Sequence, residues 1–266
     1  MPHILIQALK FQKKSFIFWT IGILFLIALY MALYPSIKES AAELNAYMEK
    51  MPKALRDAFV DPEANYATPL GYISSEIYTQ MLPILFLFFA IGFGSNAVAG
   101  EEEKGTLDIV LSAPLKRSRF VIEKFAALAV GLGYLSVIIV ITLYFGTKFV
   151  DINLTIPQLS SATFNLFLLS LNFGALAFFI GALSGSKGLA IGLTTSFAVL
   201  SFLVSSFYKM VTQLEKVKEF SPFYHYSNQS ALIHGIDWAS ASLLIWAIIG
   251  LFALSIIAFS RRDLNV

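Results

Sequence analysis

The chain has 266 residues, 57% of them hydrophobic and only 14% charged, with a formal net charge of +2 and no cysteine. That is too apolar for a water-soluble domain of this length, and so small a charge gives no reason to expect nucleic acid as a partner. The lack of cysteine excludes disulfides, thiol catalysis and cysteine-based metal sites together.

In chain order, Ile4 to Lys14 set Ile4, Leu5, Leu9 and Phe11 against Lys10, Lys13 and Lys14. This pattern predicts an amphipathic helix lying on the inner membrane surface. A transmembrane helix needs about 20 apolar residues. Charge-free runs predict six spans, at about 15–37, 77–100, 125–147, 161–183, 188–208 and 238–260. The fourth run begins at Ile152, but Pro157 argues for a start near Ser161. The first run is longer than the apolar core of a signal peptide and no A-x-A site follows it, so it is expected to stay as a span.

Placing the N-terminus in the cytosol gives the inner segments 11 Lys/Arg in 45 residues, against 8 in 72 for the outer ones. The bias predicts both termini in the cytosol. The first outer loop, 38–76, predicts a helix over Glu39–Lys50 and a second opened by Pro52 that carries Leu55 and Phe59. The last, 209–237, predicts a helix over Lys209–Phe220, then Ser221-Pro222 and an aromatic-polar stretch ending at Asn228. Gly174, Ala177, Gly181 and Gly185, followed by Gly188 and Gly192, predict close packing of spans four and five.

Several motifs fail on inspection. Gly181 to Gly188 resembles a phosphate loop, but Ser186 and Gly188 stand where that motif requires Gly and Ser/Thr. Gly92-Phe-Gly94-Ser-Asn-Ala97 mimics a dinucleotide fingerprint but lies inside a span. His3, His225 and His234 are scattered without a glutamate at metal-ligand spacing. No catalytic residue, metal or cofactor is therefore expected in this chain.

The segment from Gly100 to Lys124 is different. Glu101, Glu102 and Glu103 fall in the opening turn of an expected helix, where the dipole favours them. Leu107, Val110 and Leu111 recur at helical spacing, and Pro114 ends the run. Lys116, Arg117 and Arg119 follow, with Ser118 as the expected N-cap of the helix entering span three. A short helix between two spans would thus offer acidic and apolar faces to a partner.

This run, Gly100-Glu-Glu-Glu-Lys-Gly-Thr-Leu-Asp-Ile-Val-Leu-Ser-Ala-Pro-Leu-Lys-Arg-Ser-Arg-Phe120, resembles the signature of ABC-2 type permeases, the membrane subunits of ATP-binding-cassette exporters. The likeness extends to Leu70-Gly71-Tyr72, the turn from Ala182 to Gly188, Ser221-Pro222-Phe223-Tyr224 and Arg261-Arg262-Asp263-Leu264. It implies an all-α, six-span membrane protein with the 100–113 helix as a coupling helix. By resemblance, Glu101, Glu102, Glu103, Gly105, Thr106, Leu107, Leu111 and Arg117 contact an ATPase subunit, and ATP and Mg sit on that partner. The N-terminal helix corresponds to the family's connecting helix. The resemblance also implies a second permease copy, membrane lipid as surroundings, and a prokaryotic cytoplasmic membrane. With no fused ATPase, the chain reads as a half-permease.

Spans without charge favour an amphipathic, lipid-like, drug-like or peptide substrate moved by alternating access. Phe93, Asn96 and Asn172 are the pathway candidates, Asn172 having a helix–helix hydrogen bond as its simpler role. The alternatives are a force- or signal-transmitting or immunity subunit using the same ATPase contact, and an intramembrane enzyme. The enzyme is disfavoured because the spans as drawn hold no paired ionisable groups.

Overall fold

The computed structural model describes residues 3–52, 68–107, 116–150, 152–227 and 230–262. Helix α1, His3–Phe11, buries Ile4 and Ala8. It leads into α2, Lys13–Glu39, and α3, Ala41–Lys50. The expected helix carrying Leu55 and Phe59 lies outside the described residues. α4 spans Pro69–Ala97 and is followed by α5, Ala99–Glu103. α6, Arg117–Phe149, α7, Ile156–Ser184, and α8, Lys187–Phe207, complete the middle of the chain. Short helices α9, Thr212–Glu215, α10, Pro222–Ser227, and α11, Ala231–His234, precede α12, Trp238–Arg261. Among the described residues there is no strand. Six helices among the described residues, α2, α4, α6, α7, α8 and α12, are long and apolar enough to cross a membrane.

Three spans begin five to eight residues before their expected starts, each for a local reason. Thr68 accepts from the Gly71 amide and Pro69 sits in the first turn, so α4 starts eight residues ahead of the expected 77. Its opening includes a π-helix, Ile73–Met81, in which the Thr79 hydroxyl bonds the Ser74 carbonyl at 2.9 Å. α6 starts at Arg117, with Lys116 rather than Ser118 as its N-cap. At α7, Thr155 and Gln158 form a capping box and Pro157 occupies the first turn, where its missing N–H costs nothing. Proline thus opens this helix, and the start near 161 is corrected to Ile156. The longer helices also carry Glu76, Glu123 and Lys124, which the charge-free runs left out.

α7 is the central helix, 72% buried over its apolar window against 17–22% for α2, α8 and α12. Its small residues allow this, mainly by approach to α4. A methyl group on Gly94 would lie 2.3 Å from the Gly174 carbonyl oxygen. One on Gly181 would touch Ala99 at 3.4 Å and Ala190 of α8 at 3.8 Å. The expected seam between spans four and five is therefore shared with span two, which makes the closer contact.

The segment after α8 does not form the expected helix over Lys209–Phe220. α9 is one turn, and a 3-10 turn covers Lys218–Phe220. The chain then folds back into the bundle. The Ser221 hydroxyl bonds Ser201 of α8 at 2.8 Å, and the Tyr226 hydroxyl donates to the Tyr78 carbonyl in the π-helix of α4. Tyr78 in turn bonds Thr163 of α7 at 2.7 Å. Asp237 caps α12, accepting from the Ala239 amide and the Ser240 hydroxyl. The Ser240 hydrogen bond is the main reason its carboxyl is held below the usual range.

Candidate functional site

The acidic triplet sits where α4 breaks. Val98, at φ −118° and ψ −65°, distorts the helix without leaving the right-handed region, and α5 resumes for one turn. Gly105, with φ of 66°, then closes that turn. The Gly105 amide bonds the Glu102 carbonyl at 2.9 Å, and the Thr106 amide and hydroxyl both donate to the Glu101 carbonyl at 3.0 Å. This is a Schellman stop, and only glycine takes its left-handed position without strain. The expected continuous helix over 100–113 is therefore interrupted at Gly105. Val110, Leu111 and Pro114 lie outside the described residues.

Each glutamate ties α5 to a different helix. Glu101 pairs with Lys124 of α6, whose side chain is 7% exposed. Glu102 pairs with Arg262, which follows α12. The same guanidinium donates to the Ala182 carbonyl at the end of α7 at 3.1 Å. Arg117 donates to the Arg262 carbonyl at 2.8 Å, adding the start of α6. Glu103 accepts from the Lys187 amide at 2.8 Å, at the positive end of the α8 dipole. Breaking a buried pair such as Glu101–Lys124 leaves an uncompensated charge and costs about 3–5 kcal/mol.

α1 is held in the same way. Glu123 accepts from the Ile4 and Leu5 amides at 2.9 and 3.2 Å, capping that helix from α6, and bonds Arg119 at 2.8 Å. Both chain ends, the α7–α8 turn and the α4–α6 connection thus meet at one end of the bundle.

Of the expected contact residues, Glu103, Gly105 and Thr106 are exposed. Glu101, Glu102 and Arg117 are half-buried and bonded within the chain. Leu107 is 1% exposed and part of the hydrophobic core, which corrects the expectation that it offers an apolar surface outward. Phe93 and Asn96 come together beside a cleft near α5, Phe93 with its ring 5.7 Å from Phe89. Asn172 is elsewhere, its amide donating to the Leu244 carbonyl of α12 at 2.9 Å. It joins two helices. Lys124, Lys187 and Arg262 were not foreseen as partners of the glutamates, Arg262 being named only within the C-terminal stretch of the resemblance. Lys124 and Arg262 pair through their charges but Lys187 through its backbone amide, a contact that no side-chain pattern signals.

A family model described as ABC-2 family transporter protein matches residues 9–264, nearly the whole chain. The chain belongs to the ABC-2 transporter family. No curated protein matches it. As an ABC-2 permease it is a multi-pass, all-α membrane subunit of an ABC transporter, a class that is generally non-catalytic and works with an ABC ATPase. The acidic triplet is therefore a structural hub of a permease.

Proposed function

We propose that this permease exports an amphipathic, lipid-like, drug-like or peptide substrate by alternating access, driven by ATP on separate ATPase subunits and working with a second permease copy. One observation carries the reading. The segment 101–106 exposes Glu103, Lys104, Gly105 and Thr106, while its glutamates reach α6, α8 and Arg262. A partner that moves this segment pulls on three helices at once, which is how a small interface can bias a two-state bundle. Glu101, Glu102 and Arg117 transmit the displacement, and Glu103, Gly105 and Thr106 face the partner.

The test is Glu103→Arg, which reverses an exposed charge and removes the acceptor for the α8 amide. Expression should persist, since one exposed hydrogen bond is worth about 1 kcal/mol. ATPase co-purification should fall at least about tenfold, and ATP turnover in the reconstituted complex should decouple from the permease. Lys116→Ala, on an exposed residue, should be nearly silent. Wild-type co-purification and turnover in Glu103→Arg would refute the assignment.

The reading also places the chain in a prokaryotic cytoplasmic membrane with both termini in the cytosol. The absence of native cysteine makes this directly measurable. In sealed cells, Ser15→Cys, Lys116→Cys and Asn265→Cys should resist a membrane-impermeant thiol reagent, while Asn45→Cys and Lys216→Cys should react. Labelling at position 116 would overturn the orientation.

A further inference from the structure

Between α1, the start of α2 and the adjoining half of α4 lies a cleft of about 770 Å³. This is within the range of small-molecule sites, roughly 300–1,000 Å³. Its two halves differ in chemistry. The floor is aromatic: Trp19 lies edge-on to Phe89 with centroids 6.0 Å apart, and the Phe93 ring is tilted against Phe89 at 5.7 Å. The rim carries the exposed Lys104 and half-buried Lys187, and with the buried Lys124 and the single carboxylate of Glu101 the lining has a net charge of +2 from three lysines and one glutamate. Lys124 is already committed to Glu101. Among the described residues, no carboxylate pairs with the ammonium of Lys104 or Lys187. Gln7, Gln12 and Asn96 add amide groups to the lining.

We propose that this cleft binds an anionic amphiphile, with a phosphate or carboxylate head between Lys104 and Lys187 and a hydrocarbon chain on Trp19, Phe89 and Phe93. A hydrocarbon alone would leave the two cations without partners, and an inorganic anion would leave the aromatic floor unused. The inference names a substrate class for the export reading and rests on that reading for transport. Binding is tested independently of transport.

Trp19 supplies the probe. Trp238→Phe and Trp246→Phe, both at exposed positions, leave it as the one tryptophan of three. The double variant in nanodiscs is titrated with phosphatidic acid or phosphatidylcholine carrying the same brominated chains. The anionic lipid should quench Trp19 at about a tenfold lower mole fraction, as expected for two nearby cations. Lys104→Gln with Lys187→Gln should abolish that preference, and Lys116→Gln, outside the cleft, should keep it.

Equal quenching by both lipids would overturn the proposal, because ordinary bilayer contact would then suffice. So would a preference that survives the double lysine variant or is lost equally in Lys116→Gln. Inorganic phosphate relieving quenching at the lipid's own concentration would show that no chain is recognised, and would also overturn it. Intact binding with loss of ATPase coupling would count against the export reading and leave the cleft standing. Lost binding with coupling intact would do the reverse.

Discussion

Gly94→Ala should lower the melting temperature of the purified permease sharply, and Gly94→Leu should prevent recovery of monodisperse protein. The added methyl would sit 2.3 Å from the Gly174 carbonyl oxygen, a backbone atom that moves only if α4 and α7 separate. Overpacking of this kind typically costs about 1–3 kcal/mol, and more where backbone must yield. The cost falls on the most buried helix of the bundle, so neighbouring contacts are lost with it. Gly174→Ala should be milder, because its nearest neighbour is the Leu128 side-chain tip at 3.1 Å. Gly133→Ala is the control. Nothing lies within 4 Å of its new methyl, and removing a mid-helix glycine gains up to about 1 kcal/mol. Thermal unfolding in detergent orders the series. Equal stability of Gly94→Ala and the parent would refute the close-approach account.

Leu107→Asp should destroy the fold at the α5 end and with it any partner contact. The side chain is 1% exposed within the core, and an unpaired carboxylate there costs at least a few kcal/mol or forces the group to take up a proton. Leu107→Ala should cost about 2–5 kcal/mol through the cavity left behind. Both are stability effects, visible in melting temperature and yield before any ATPase is added. Glu103→Arg is the contrasting case, with near-parent stability and a lost partner. If Leu107→Asp kept the parent's melting temperature while failing to hold an ATPase, the leucine would face the partner and the buried placement would be wrong.

These two residues show where reading the sequence stops. Six spans were legible because exclusion of charge over about 20 residues is a one-dimensional requirement of the bilayer. Helix starts were less so. Pro157 reads as an interruption until the Thr155–Gln158 capping box turns it into a first-turn residue. The family signature between Gly100 and Phe120 was likewise plain, and the family match covers it.

The sequence by itself therefore determined the class: an all-helical membrane protein with an unusual acidic segment between its second and third spans. Only the tertiary structure decided what that segment does within the chain. An apolar stripe says that leucine avoids water, but not whether a partner or its own core removes it, and Leu107 went to the core. Three successive glutamates say that cations must be near, but not which ones. Lys124, the Lys187 amide and Arg262 lie 23, 84 and 160 residues away from their glutamates, and only the packing of α4, α6, α8 and α12 brings them together. Electrostatic pairing is short in space and indifferent to chain separation, so its partners emerge only once the bundle has closed.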